Sequence, residues 1–138
     1  MKNNYCPCHS KKLYKNCCKT YHEGTLAKNA LQLMRSRYSA YALNLVDYII
    51  KTTSLENPSY KVDLKKFSEE VLEFCLKTKF EDLKILDFFE KENFATVTFK
   101  AYLFQNNQDI SFVEKSYFEK VNNRWLYKYG EIIKDIPF

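Results

Sequence analysis

Apolar positions in the first half of the chain recur at helical spacing, whereas those in the last third alternate. After Gly24, the residues Leu26, Ala30, Leu33, Met34, Tyr38 and Tyr41 fall three or four apart, which predicts an amphipathic helix capped by Thr25 and running to about Asn44. A shorter helical piece is expected over 46–53, then a turn at Asn57, Pro58 and Ser59. Residues 64–77 again read as helix, with Phe67, Val71, Leu72, Phe74 and either Cys75 or Leu76 on the buried side. From Leu83 the pattern becomes four strands, about 83–90, 94–104, 110–121 and 125–133. Their breaks fall at Glu92-Asn93, at 106–109 and at Asn122-Asn123, and Asn tolerates the positive φ of tight hairpins. Helices first and an antiparallel meander after is an α+β order.

A two-residue loop at Asn122-Asn123 sets Val121 opposite Arg124 and, counting outward, pairs Phe118 with Tyr127, Ser116 with Tyr129 and Glu114 with Glu131. Period-two alternation places Ile110, Phe112, Glu114, Ser116 and Phe118 on one face, so a carboxylate sits in an apolar stripe. The opposite face, with Ser111, Val113, Lys115, Tyr117, Glu119 and Val121, is the more polar, so the Glu114 face is expected to turn inward. A carboxylate there needs a partner or a wet cavity, and Arg35 or Arg37 of the first long helix can supply one. If that face were instead the solvent side, the carboxylates would simply be hydrated.

Four of the five cysteines lie within thirteen residues, Cys6, Cys8, Cys17 and Cys18, spelling C-x-C, eight residues, then C-C. Two such pairs brought together by a hairpin present four thiolates to one tetrahedral ion, the donor set zinc takes in closed structural sites. Disulfides would need an oxidising compartment, and the first 22 residues are polar and basic, without the apolar segment of a secretory signal. A C-x-C redox couple is the other alternative, since nearby lysines favour thiolate. His9 and His22 are possible substitutes for one sulfur, although four thiolates already fill the shell. Cys75, alone in a helical stretch, reads as a buried apolar side chain.

Charge sharpens the picture of that segment. Residues 1–22 contain Lys2, Lys11, Lys12, Lys15 and Lys19 and no acid, so the whole formal net charge of +5 resides there; the other 17 basic and all 17 acidic side chains balance. A four-thiolate zinc centre carries −2 and lowers the local excess to about +3. The remaining basic knob suits an acidic protein surface or a phosphate backbone, unless the lysines only neutralise the cluster. At 138 residues, 46% hydrophobic and 17% aromatic, the chain is long enough for one domain with a core plus a small appendage. No apolar run approaches the roughly 18 residues of a membrane span, so a cytoplasmic protein is expected.

The segment Cys6-Pro7-Cys8-His9-Ser10-Lys11-Lys12-Leu13-Tyr14-Lys15-Asn16-Cys17-Cys18 resembles the SEC-C motif, the small zinc hairpin also found at the end of the SecA translocation ATPase. Tyr21-His22, the run from Leu33 to Tyr41 (LMRSRYSAY), Tyr48 and Lys51-Thr52-Thr53 resemble the YchJ family, as does the closing block from Glu114 to Phe118 (EKSYF) with Trp125, Tyr127 and Gly130. The resemblance implies a nuclear transport factor 2-like cone, helices packed on a curved four-stranded antiparallel sheet, with zinc bound by Cys6, Cys8, Cys17 and Cys18. It divides the chain into a hairpin, 1–22, and an α+β domain, 23–138. SEC-C hairpins usually carry glycine where this chain has His9 and Lys11, so both are expected to adopt positive φ, at about 1 kcal/mol each.

The resemblance implies no particular reaction, because the fold hosts enzymes, binding proteins and assembly modules alike. Two functions are therefore expected. In one, the basic zinc hairpin is an adaptor that docks onto a protein partner, with nucleic acid or the ribosome as further options. In the other, a small-molecule site or active site lies inside the cone, with Arg35, Arg37, Tyr38, Glu114, Ser116, Trp125, Tyr127 and Glu131 as its candidate lining. Glu114 facing Glu131 could there do acid/base work. A closed four-sulfur shell leaves no position for water, which argues against catalytic zinc.

Overall fold

The computed structural model describes residues 4–61 and 63–133. A short two-armed hairpin joined by the bridge Tyr5–Leu13 leads through a 3-10 turn, Tyr14–Asn16, into a one-turn helix α1 (Lys19–His22). Three further helices follow, α2 (Ala30–Ala42), α3 (Val46–Lys51) and α4 (Leu64–Lys77), and then β1 (Lys79–Glu90), β2 (Phe94–Gln105), β3 (Gln108–Asp109), β4 (Phe112–Val121) and β5 (Arg124–Ile133). The sheet is antiparallel in the order β1-β2-β4-β5, with the two-residue β3 added to the end of β2. Helices precede the meander, as the apolar periodicity predicts. No helix of the described residues is long and apolar enough to cross a membrane.

The first long helix starts later than its apolar spacing suggests. Asn29, not Thr25, is the N-cap, its side chain accepting from the Gln32 N–H at 2.8 Å, and Leu26 is exposed outside the helix. Helix α3 stops at Lys51 because the next two hydroxyls turn back on it: Thr52 Oγ1 donates to the Tyr48 carbonyl and Thr53 Oγ1 to the Ile49 carbonyl, both at 2.7 Å. The chain then runs beside β5, where the Tyr127 N–H donates to the Thr52 carbonyl and the Ser54 N–H to the Tyr127 carbonyl, each at 2.8 Å. Helix α4 spans the expected residues, capped by Asp63. It buries Phe67, Val71 and Cys75 and leaves Leu72 and Leu76 exposed.

The tight turns are carried by asparagine, with positive φ at Asn106, Asn107, Asn122 and Asn123. The β4–β5 register begins as counted, Val121 opposite Arg124 and Phe118 opposite Tyr127. A bulge then shifts it, since Tyr117 faces Tyr129 and Lys128 is left over. Beyond it Ser116 faces Gly130, Lys115 faces Glu131 and Glu114 faces Ile132, so the expected Ser116–Tyr129 and Glu114–Glu131 pairs do not form. One extra residue reverses which side chains share a face, and Asn57 fixes it by donating its side-chain N–H to the Lys128 carbonyl at 2.7 Å.

Two apolar clusters hold the helices to the sheet. One joins α2 to β1, β2, β4 and β5 through Leu33, Met34, Tyr38, Val97, Leu103, Phe118 and Trp125. The other joins α1, α3 and α4 through Tyr21, Tyr48, Ile49, Phe67, Val71 and Cys75. Helix α2 is packed from both sides, which is why five consecutive residues, 36–40, are all buried.

Candidate functional site: a four-cysteine cluster and a cavity under one helix

The hairpin converges its four cysteines. The Cys6 N–H donates to the Lys12 carbonyl at 2.8 Å and the His9 N–H to the Cys6 carbonyl at 3.1 Å, closing the turn that holds Cys6 and Cys8. His9 and Lys11 adopt φ of 61° and 73°, the left-handed conformation expected where relatives of the motif carry glycine. The 3-10 turn and α1 deliver Cys17 and Cys18 to the same point. All four sulfurs lie within 4.8 Å of one another, and Cys6, Cys8 and Cys18 are buried. Cys17 Sγ is 3.7 Å from Cys8 Sγ and 4.0 Å from Cys18 Sγ. Sulfurs at about 2.3 Å from a tetrahedral ion are about 3.8 Å apart, so this donor set can hold a metal ion. The Cys8 thiol is drawn far below its ordinary pKa by hydrogen bonds from Cys18 and Cys6, while Cys18 is pushed up by its hydrogen bonds with Cys6 and Cys8 and by burial. Such a cluster takes a cation by releasing its remaining protons.

Neither histidine joins the sulfurs. His9 Nδ1 lies 3.5 Å from Asp82 Oδ1, with its ring edge-on to Tyr38. His22 has both nitrogens engaged, Nε2 with the Ser36 carbonyl at 2.8 Å and Nδ1 with the Tyr14 hydroxyl at 2.7 Å. The carbonyl can only accept, so Nε2 carries the hydrogen and Nδ1 accepts from Tyr14. Burial lowers the pKa of His22, which favours that neutral ring. Of the basic segment, Lys11, Lys12, Lys15 and Lys19 are exposed, and Lys2 lies outside the described residues.

A cavity of about 420 Å³ lies between α2, α4 and the sheet. Its walls are mostly apolar, from Met34, Val71 and Leu103 to the rings of Phe67, Phe74, Phe80, Phe99, Phe112 and Phe118. The expected candidates Arg37, Tyr38, Glu114, Ser116 and Tyr127 all line it. Glu114 is held by its neighbours, with Oε2 accepting from Ser116 Oγ at 2.5 Å and from the Tyr127 hydroxyl at 3.1 Å. Arg37 is buried, its Nη1 donating to Thr52 Oγ1 at 2.8 Å and to the Ile49 carbonyl and Thr53 Oγ1 at 3.1 Å. Its guanidinium lies over the Tyr127 ring, 4.5 Å from the centroid. Burial and then the Glu114 charge raise the pKa of Tyr127; burial also raises Tyr41 and Tyr38, the latter helped by Asp82. All three phenols therefore keep their hydrogens at neutral pH.

Three expected candidates lie elsewhere. Arg35 sits about 200° round the helix from Arg37, and its Nη1 donates to the Cys8 carbonyl at 3.0 Å with Cys8 Sγ at 3.8 Å, so it serves the sulfur cluster. The bulge turns Glu131 outward, where it is exposed and accepts from the Tyr117 hydroxyl at 3.1 Å. Trp125 is buried in the main core, its indole N–H without a hydrogen-bond partner among the described residues. Sequence reasoning missed Tyr41, Ser59 and Glu70 in the cavity wall. Tyr41 was already visible as the last member of the first helical stripe.

Comparison with known proteins finds relatives along nearly the whole chain. A family model described as the YchJ middle NTF2-like domain matches residues 29–130. The UPF0225 protein of Shewanella sp. strain MR-4 is 36% identical over 135 residues, covering 91% of this chain and 79% of that protein. The UPF0225 protein of Vibrio parahaemolyticus is 34% identical over 125 residues, covering 88% and 71%. Among solved structures, the solution structure of a SEC-C motif containing protein from Rhodopseudomonas palustris superposes with a TM-score of 0.80 at 32% identity, covering 94% of this chain and 98% of the other. A SEC-C motif containing protein from Psychrobacter arcticus, a crystal structure, gives 0.77 at 26%, covering 99% and 88%. With its cysteine hairpin ahead of a nuclear transport factor 2-like α+β domain, the chain belongs to the YchJ family.

Proposed function

We propose that the protein binds a small molecule inside the cone, and that its four cysteines hold one structural zinc ion that fixes the hairpin against α2. The cavity carries this reading. At about 420 Å³ it falls in the roughly 300–1,000 Å³ range of small-ligand sites, and it has their composition, apolar walls with a few convergent polar groups. In this reading residues 1–22 are the metal-binding unit and 23–138 the ligand-binding one, working in the cytoplasm, where thiolates stay reduced. Zinc fits a shell of four sulfurs with no place for water, which makes its role structural. Acid/base chemistry by Glu114 with Glu131 loses its basis, since the two are not opposed.

Fluorescence titration with the neutral probe N-phenyl-1-naphthylamine tests the cavity. One saturable site is expected, lost in Ala101→Phe and in Val71→Trp, which fill the space from two walls. Unchanged binding by both folded variants removes the reading.

A second reading, adaptor binding to a protein or ribosomal surface, is favoured by the exposed Lys11, Lys12 and Lys15, which make no ion pair among the described residues. Partner capture with wild type and with all three lysines changed to Glu checks it, and identical partner lists count against it.

A further inference from the structure

We propose that the cavity takes a compact molecule with an aromatic body and one protonated amine, and that Glu114 is the counter-ion of that amine. This rests on the small-molecule reading above and names the ligand class.

The polar end of the cavity is incomplete in one specific way. Both hydrogen bonds to Glu114 reach Oε2, from Ser116 and from Tyr127, and Oε1 has no partner among the described residues. A carboxylate oxygen beside apolar walls is costly unless a donor meets it. Ser116 and Tyr127 are neutral hydroxyls, so they hold the anion in place without cancelling its charge.

Arg37 does not pair with it directly either. Its Nη1 serves three acceptors on and after α3, its plane rests on the Tyr127 ring, and it makes no ion pair with Glu114 or Glu70 among the described residues. Of the ionisable acids and bases in the lining, Arg37 is buried, Glu114 is half-buried and Glu70 is exposed to solvent, so Glu114 is the carboxylate a bound molecule meets inside. A ligand of charge +1 can donate to the Glu114 oxygen left without a partner, whereas an anion would meet that carboxylate, with Arg37 Nη1 already donating to three acceptors. The Tyr41 hydroxyl, also lining the cavity and without a hydrogen-bond partner among the described residues, offers a second polar contact.

The rest of the wall selects the body of the ligand. Phe67, Phe74, Phe80, Phe99, Phe112 and Phe118 surround the space with ring faces and edges. Such walls favour a flat aromatic group packed offset or edge-on, and an ammonium near ring faces gains cation–π attraction.

Three molecules of one shape and different charge decide the matter: 2-naphthylmethylamine, 2-naphthalenemethanol and 2-naphthoate, titrated calorimetrically at neutral pH. The amine is expected to bind at least about tenfold tighter than the alcohol, and the carboxylate weakest of the three. In Glu114→Gln the amine and the alcohol should bind within about twofold of each other. The wild-type ranking stands without the variant, so a poorly folded Glu114→Gln does not blunt the test. An amine no tighter than the alcohol, or a carboxylate as tight as the amine, overturns the charge assignment while leaving the cavity reading intact. Failure of all three, together with failure of N-phenyl-1-naphthylamine, overturns both.

Discussion

A β-carbon at Gly130 would stand 2.1 Å from Glu114 Oε2, and 2.6 Å from the Tyr127 hydroxyl. The absence of a side chain on β5 is what lets the carboxylate fold down between Ser116 and Tyr127. Gly130→Ala must displace Glu114 or push the strands apart, and overpacking of this kind costs about 1–3 kcal/mol. Urea denaturation should show that loss. Wild-type stability in Gly130→Ala would mean that Glu114 moves freely and is not positioned by the strand.

Metal content follows from the four sulfurs. Native mass spectrometry should find one zinc per chain in wild type and less in Cys17→Ser, which removes the one half-exposed ligand of the cluster. Full zinc occupancy of Cys17→Ser, or a metal-free wild type purified without chelator, contradicts the proposed site.

Arg35 holds the backbone and sulfur of Cys8 from α2 without being a ligand. Losing such a partner typically weakens a metal site by about ten- to a hundredfold. Competition with a chromophoric chelator should show that weakening in Arg35→Ala. Arg37→Ala is the control, since its side chain faces the cavity and leaves zinc affinity unchanged.

Burial pushes the Cys75 thiol up to about 11 from an ordinary 9.0. At pH 8 its thiolate fraction is then about a hundredfold lower than that of a free thiol, so alkylation of the folded protein should spare it. The folded chain keeps this proton between pH 9 and 11, where the unfolded chain has lost it, so the group lowers stability as pH rises through that window and has no effect below it. Cys75→Ala should remove that component of the alkaline slope, seen as a difference in urea midpoints; identical slopes would place Cys75 in water.

Local signals made most of the fold legible. Paired asparagines marked the turns, helix α4 was bounded by its own periodicity, and the C-x-C and C-C pairs specified their own convergence. Long-range choices were not legible. The residues of β5 alternate regularly, and nothing in them announces the bulge at Lys128, which Asn57 fixes from 71 residues away. That one residue moved Glu131 from the cavity face to solvent. Arg35 and Arg37 look interchangeable in sequence until the hairpin and the cavity occupy opposite sides of α2.

Helix α2 gives the molecule an unusual constraint. Arg35 and Ser39 touch the cysteines, the Ser36 carbonyl receives His22, and Met34, Arg37, Tyr38 and Tyr41 line the cavity. Under the proposed function, ligand recognition and metal retention are interleaved letters of a single eight-residue word. On that reading, a substitution in α2 that retunes one site must spare the residues of the other, whereas the cavity residues of α4, Phe67, Val71 and Phe74, can change without that constraint.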